Sequence, residues 1–106
     1  MKRVLVGIPT LNEANNVEQM VARLEKLAFP LDILFVDDNS GDGTGLILDR
    51  LAQVKPAVRV MHRPSALGIG SAHQAILKYA YEKRYELLVT MDCDFSYSTA
   101  KRVSAS

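Results

Sequence analysis

The chain has 106 residues, room for one domain with a modest core, and its 13 Lys and Arg stand against 12 Asp and Glu. A formal net charge of +1 leaves no electrostatic footprint for nucleic acid, and a hydrophobic fraction of 48% is that of a globular protein. One cysteine excludes an internal disulfide framework, the basic start "MKRVLVGIPTLNE" is too short for a signal peptide, and no apolar run approaches the ~18 residues of a spanning helix. The expected location is therefore the cytoplasm, with peripheral attachment to the cytoplasmic membrane face only through a partner or further segments.

In chain order, "RVLVGI" (3–8) reads as a buried strand. Val17, Met20, Val21, Leu24, Leu27 and Ala28 then recur at helical spacing until Pro30. "DILFVD" (32–37) is the second strand, and Ile47, Leu48, Leu51 and Val54 mark a second helix that ends at Pro56. "AVRVMH" (57–62) is the third strand, Ala72, Ala75, Ile76, Tyr79 and Ala80 mark a third helix, and "ELLVTM" (86–91) is the fourth strand. The tail "FSYSTAKRVSAS" has no periodicity and is expected to fray over residues 99–106, leaving a domain at 1–98. The order βαβαβαβ demands crossovers, so the expected fold is α/β, with three α/β/α layers around a mainly parallel sheet.

Ligands of open parallel sheets bind beyond the carboxyl ends of the strands. Those ends read "PTLNE", "DDNSGDGT" and "DCDF", which gather Asn12, Glu13, Asp37, Asp38, Asp92 and Asp94 on one edge. Each alone reads equally well as a turn or cap residue: Asp42 or Thr44 could cap the second helix, and Asn12 the first. Alternation puts Asp92 and Asp94 on one face, with Cys93 on the other as a small core residue. Two such carboxylates suit a hard divalent cation, Mg²⁺ or Mn²⁺, which completes its shell with water and substrate phosphates. "LGIGSA" (67–72) has His73 where a dinucleotide fingerprint needs its third Gly, and the first turn has no Gly, so NAD is not expected. Arg63, just past the third strand, could face a phosphate or solvent. His62 and His73 lack any metal spacing.

"IPTLNEANNV", "FVDDNSGDGT", "ALGIGSA" and "MDCDFS" together resemble, in order and spacing, the nucleotide-sugar half of family 2 glycosyltransferases, in particular those that act on dolichol or polyprenol phosphate. The resemblance implies the N-terminal half of a GT-A fold, and a metal-dependent, inverting transfer of mannose from GDP-mannose to a polyprenyl phosphate. It also implies that Pro9, Leu11, Glu13, Val36 and Asp38 line the nucleotide pocket together with Asp92, Cys93 and Asp94. Asp92 and Asp94 would be the catalytic, metal-holding pair, Asp94 the more direct ligand, with Ser96 as a second.

The departures are Leu11 for a frequent Tyr, Ser65 and Ala66 for basic residues, Ile76 for a frequent Gly, and Tyr97 and Thr99 for a His and a Pro. An acceptor half has no counterpart in these residues, so donor binding is better supported than turnover. A second copy or a partner bringing that half is expected to cover the exposed edge of the fourth strand. Two other readings compete: a nucleotide- and metal-binding domain without transfer, and a receiver-like signalling domain. A receiver would carry its acceptor Asp after the third strand, where this chain has "HRPS".

Overall fold

A computed structural model describes residues 3–27, 30–64, 69–93 and 97–103. The elements are β1 (Val4–Thr10), α1 (Val17–Glu25), β2 (Asp32–Asp37), α2 (Thr44–Val54), β3 (Val58–His62), α3 (Ile69–Glu82), β4 (Leu87–Met91) and β5 (Tyr97–Arg102). The sheet order is β3-β2-β1-β4-β5. The first four strands run parallel, in registers such as Ile8↔Phe35, Phe35↔Val60 and Val6↔Val89.

The topology follows from the direction of each crossover. β1 to β2 and β2 to β3 step the same way, so α1 and α2 lie together on one face. The path from β3 to β4 steps back across the sheet, which puts α3 on the other face. The reversal falls between β1 and β4.

Because both faces are covered, the central strands β1 and β2 are apolar and buried on both sides, as a continuous Val/Leu/Ile run requires. Val6, Ile8, Ile33 and Phe35 pack with Val17, Met20, Val21, Leu24 and Leu48 from α1 and α2. Leu5, Leu34, Val36 and Leu88 pack with Ala72, Ile76 and Ala80 from α3. On this second face Gly7 sits directly beneath Ile76: a Cβ added at Gly7 would lie 2.3 Å from Ile76 Cγ2. The branched Ile76 therefore fills the space that Gly7 leaves open.

The tail departs from expectation. Instead of fraying from residue 99, the chain forms β5, antiparallel to β4 with Thr90↔Thr99 and Leu88↔Lys101 in register, and Val103 N donates to Glu86 O at 2.7 Å. A strand can gain ladder hydrogen bonds without an apolar pattern, and the exposed, charged Arg102 suits an outermost position. The β4 edge thought to need a second copy or a partner is thus covered by the chain itself. Residues 104–106 lie outside the described residues.

At the amino edge, the Tyr85 hydroxyl donates to Asp32 Oδ2 at 2.6 Å, and the Arg3 guanidinium lies 4.4 Å from the Tyr85 ring centroid. Burial first, and the bond to Asp32 second, push the Tyr85 hydroxyl up to about 12 from 10.0. The folded chain thus holds this proton more tightly than the unfolded chain. Its contribution is complete below pH 10 and is lost as pH rises towards 12.

Two outcomes are expected. Gly7→Ala should destabilise by about 1–3 kcal/mol in urea unfolding, and the double variant with Ile76→Ala should lose less than the sum of the two single losses, because the added methyl then enters the space Ile76 vacates. Melting temperatures measured from pH 9 upwards should fall more steeply for the wild type than for Tyr85→Phe; parallel curves would contradict the Tyr85–Asp32 account.

Candidate active site

Two loops meet at the carboxyl edge of the sheet. The β1–α1 loop turns at Asn12, which adopts φ 57°. Asn12 N donates to Ser40 Oγ at 2.8 Å, and Asn12 Oδ1 accepts from Gly41 N at 3.0 Å. One residue on, Glu13 N donates to Thr44 Oγ1 at 2.9 Å, and Ala14 N donates to Asp42 Oδ2 at 3.1 Å. Thr44, wholly buried, passes its own hydroxyl hydrogen to Asp42 Oδ1. That bond, ahead of those from the Ala14 and Thr44 amides, holds the Asp42 carboxyl below its ordinary value. The β1–α1 loop is thereby clasped to the β2–α2 loop.

Neither helix start follows the expected capping. Gly43 occupies the N-cap of α2 at φ 91°, a left-handed conformation that a side chain would strain. Asn16, not Asn12, stands at the N-cap of α1 and makes no side-chain cap bond there. Its amide instead donates to Glu13 Oε2 at 2.7 Å.

Asp37 and Asp38 are consecutive and both buried, yet they serve different networks. Asp37 continues the Ile33–Phe35 side of β2 and accepts from Thr10 Oγ1 at 2.8 Å, Ser40 Oγ at 2.6 Å and Ser40 N at 3.1 Å. It anchors the clasp. Asp38 continues the Leu34–Val36 side and receives a bidentate fork from Arg63, Nε to Oδ1 at 2.5 Å and Nη2 to Oδ2 at 2.8 Å. Arg63 Nη1 reaches on to Ser71 Oγ at 2.7 Å. Both side chains of the pair are 9% exposed. The bonds to Asp38 outweigh burial and raise the Arg63 pKa above its ordinary value. Arg63 is therefore occupied by protein oxygens, not turned outward to solvent.

Of the expected pocket residues, Pro9 and Glu13 are half-buried at the end of β1 and in its loop, and Leu11 is 49% exposed. Val36 is fully buried in the core beneath α3, so only its main chain can border a ligand. Cys93 packs with Val6 and Ile8 in the opposite core, which agrees with a small core-facing residue and sets its side chain apart from any pocket. Asp92 is half-buried just past β4. Alternation from Leu88 and Thr90 carries it to the α3 side of the edge, the side of Asp38. Asp94 and Ser96 lie outside the described residues.

Among the described residues no three His, Cys, Asp or Glu converge on a metal position. Among the described residues, Asp92 places a hard carboxylate donor at the β1/β4 reversal. That donor set fits Mg²⁺ or Mn²⁺, which take one or two carboxylates and keep positions for water and phosphate, and does not fit a closed protein cage. A separate cleft of about 340 Å³ opens beyond β2 and β3, against the first turn of α2, and borders Asp37, Ser40 and His62. It includes none of the expected pocket residues. Thr10, Ser40 and Ser71, which fix the geometry, carry no signal in the sequence beyond being small hydroxyl residues in or next to loops.

The model of the family "Glycosyl transferase family 2" matches residues 5–102. A polyprenol monophosphomannose synthase of Mycolicibacterium smegmatis is 43% identical over 98 residues, 92% of this chain and 37% of that protein. An undecaprenyl-phosphate mannosyltransferase of Micrococcus luteus is 41% identical over 95 residues, 90% of this chain and 39% of that protein. Among solved structures, a mannosyltransferase of Pyrobaculum calidifontis in complex with GDP-Man and Mn²⁺ superposes with a TM-score of 0.76 at 29% identity, over 87% of this chain and 27% of that one. The chain thus spans under two fifths of the length of these relatives, and its sheet and helices match those of the GT-A fold.

The clasp predicts its own weak point. Thr44→Val removes the acceptor of Glu13 N and a donor to Asp42, and should cost about 1–3 kcal/mol in urea unfolding at neutral pH. Because the Asp42 carboxyl is held below 3.8, its contribution is present above that pH and is lost as pH falls beneath it, so acid should narrow the gap between variant and wild type. A gap that widens in acid would contradict the clasp.

Proposed function

Because the chain belongs to glycosyl transferase family 2, we propose that it is the nucleotide-sugar-binding part of an enzyme that moves mannose from GDP-mannose to a polyprenyl phosphate. The observation that carries this reading is the placement of the clasped β1–α1 loop, Asp38 and Asp92 at the carboxyl ends of β1, β2 and β4, where strand order reverses between β1 and β4. The mannosyl donor is supported by the names of the two bacterial relatives and by the GDP-Man of the Pyrobaculum enzyme. A polyprenyl-phosphate acceptor is supported by the relatives' names. Contact with that lipid is assigned to a peripheral encounter at the cytoplasmic membrane face, and acceptor binding to the relatives' remaining length. No helix among the described residues is long and apolar enough to cross a membrane.

Each group then has a task. Pro9, Leu11 and Glu13 border the nucleoside, with the main chain of Val36 and Cys93 beside them. Asp38 accepts from nucleoside donors through the lone pairs that Arg63 leaves open. Asp92, with Asp94 and Ser96 of the same motif, would hold Mg²⁺ or Mn²⁺. The cation, when bound, supplies positive charge that offsets the negative charge gained by the departing diphosphate. An acceptor phosphate oxygen forms its bond to the anomeric carbon as the bond to the diphosphate breaks, and a single displacement inverts that carbon.

Calorimetric titration with GDP and UDP, with and without Mn²⁺, tests this. GDP should bind in preference to UDP and more tightly with Mn²⁺. Asp94→Ala should abolish the Mn²⁺ enhancement and leave the melting temperature unchanged. A variant that keeps the full enhancement would remove Asp94 from the metal site.

A further inference from the structure

Arg63 has no task in the transfer described above, yet its backbone and all three guanidinium nitrogens are engaged. Its backbone N donates to Asp37 O at 2.9 Å, its fork closes on both oxygens of Asp38, and its third guanidinium nitrogen, Nη1, donates to Ser71 Oγ at 2.7 Å. Carboxylate and guanidinium are both planar, so a two-point fork makes the plane of one set the plane of the other. The fork alone leaves the pair free to swing together about the Arg63 stem. The Ser71 hydroxyl, on the first turn of α3, blocks that swing from the side. The helix that carries Ser71 is seated on the sheet where Ile76 meets Gly7.

We propose that Ser71 is a positioning residue for the donor site: through Arg63 it fixes the direction in which Asp38 presents its free lone pairs to a nucleoside diphosphate. The inference rests on the assignment of Asp38 to the nucleoside. A buried ion pair by itself is weak evidence for stability, because desolvation offsets much of the attraction. Two side chains at 9% exposure tied to a third group on a separate element instead restrict orientation.

The test is a double-mutant cycle read by GDP calorimetry in Mn²⁺, with urea unfolding followed on the same proteins. Ser71→Ala should weaken GDP binding by roughly threefold to tenfold, and in an Asp38→Asn background the same change should have no further effect. Ser71→Thr, which keeps the hydroxyl, should restore most of the affinity. A purely structural role would lower unfolding stability and leave affinity intact, and that result overturns the proposal. A Ser71 loss that adds in full to the Asp38 loss also overturns it while leaving the donor reading standing. Failure of the wild-type chain to bind either GDP or UDP would sink the donor reading and this inference together.

Discussion

The clasp between the β1–α1 and β2–α2 loops is the constraint on which the rest of the edge depends. Its centre is the Asp37 carboxylate, out of solvent and supplied with donors from Thr10 and Ser40. A buried carboxylate is tolerable only when its lone pairs are met, so the three groups either assemble together or not at all. Once they assemble, Asn12 and Glu13 are drawn against residues 40–44, and the edge acquires a fixed outline. Side-chain entropy makes such an outline costly to hold on long residues; Thr and Ser, with little to lose, make it cheaply.

That arrangement explains how two adjacent acids come to have unrelated work. The pleat separates them: Asp37 faces the side of α1 and α2, Asp38 the side of α3. The first is saturated by hydroxyl and amide donors and serves the backbone. The second is matched by one cation and retains open lone pairs. Asp92 falls on the same side as Asp38, so the available carboxylates gather on the α3 side of the strand ends, where the order of strands reverses.

Much of the fold was legible in the residues. Four apolar runs and three stretches of helical spacing give the α/β order, and Pro56 lies two residues past α2 as expected, whereas α1 ends at Glu25, before the expected helix residue Leu27 and well before Pro30. β5 was not legible, because an edge strand such as "YSTAKR" needs only backbone partners and shows no apolar alternation. At the carboxyl edge, the motifs pointed to the two loops that the structure clasps together but could not divide Asp37 from Asp38: a strand buried on both faces is apolar throughout, and periodicity then says nothing about direction. Val36 shows the same loss of direction, since its side chain lies in core, whereas the core-facing direction of Cys93 was legible from its place between two carboxylates. Arg63 was singled out by its place after β3, whereas its partner Ser71 is separated from it by a loop and a helix start.

The clasp takes most of its bonds on the β1–α1 side from main-chain amides: Asn12 N, Glu13 N and Ala14 N all donate to side chains of the other loop. An amide is present whatever side chain the residue bears, proline excepted. The side chains at positions 11 and 14 are therefore free to drift without loosening the loop, while Glu13, which holds the Asn16 amide, and Ser40, Asp42 and Thr44 are not. One loop is the vice and the other the interchangeable tool. Such a division lets an exposed side chain such as that of Leu11 change while the frame that holds its loop stays unchanged.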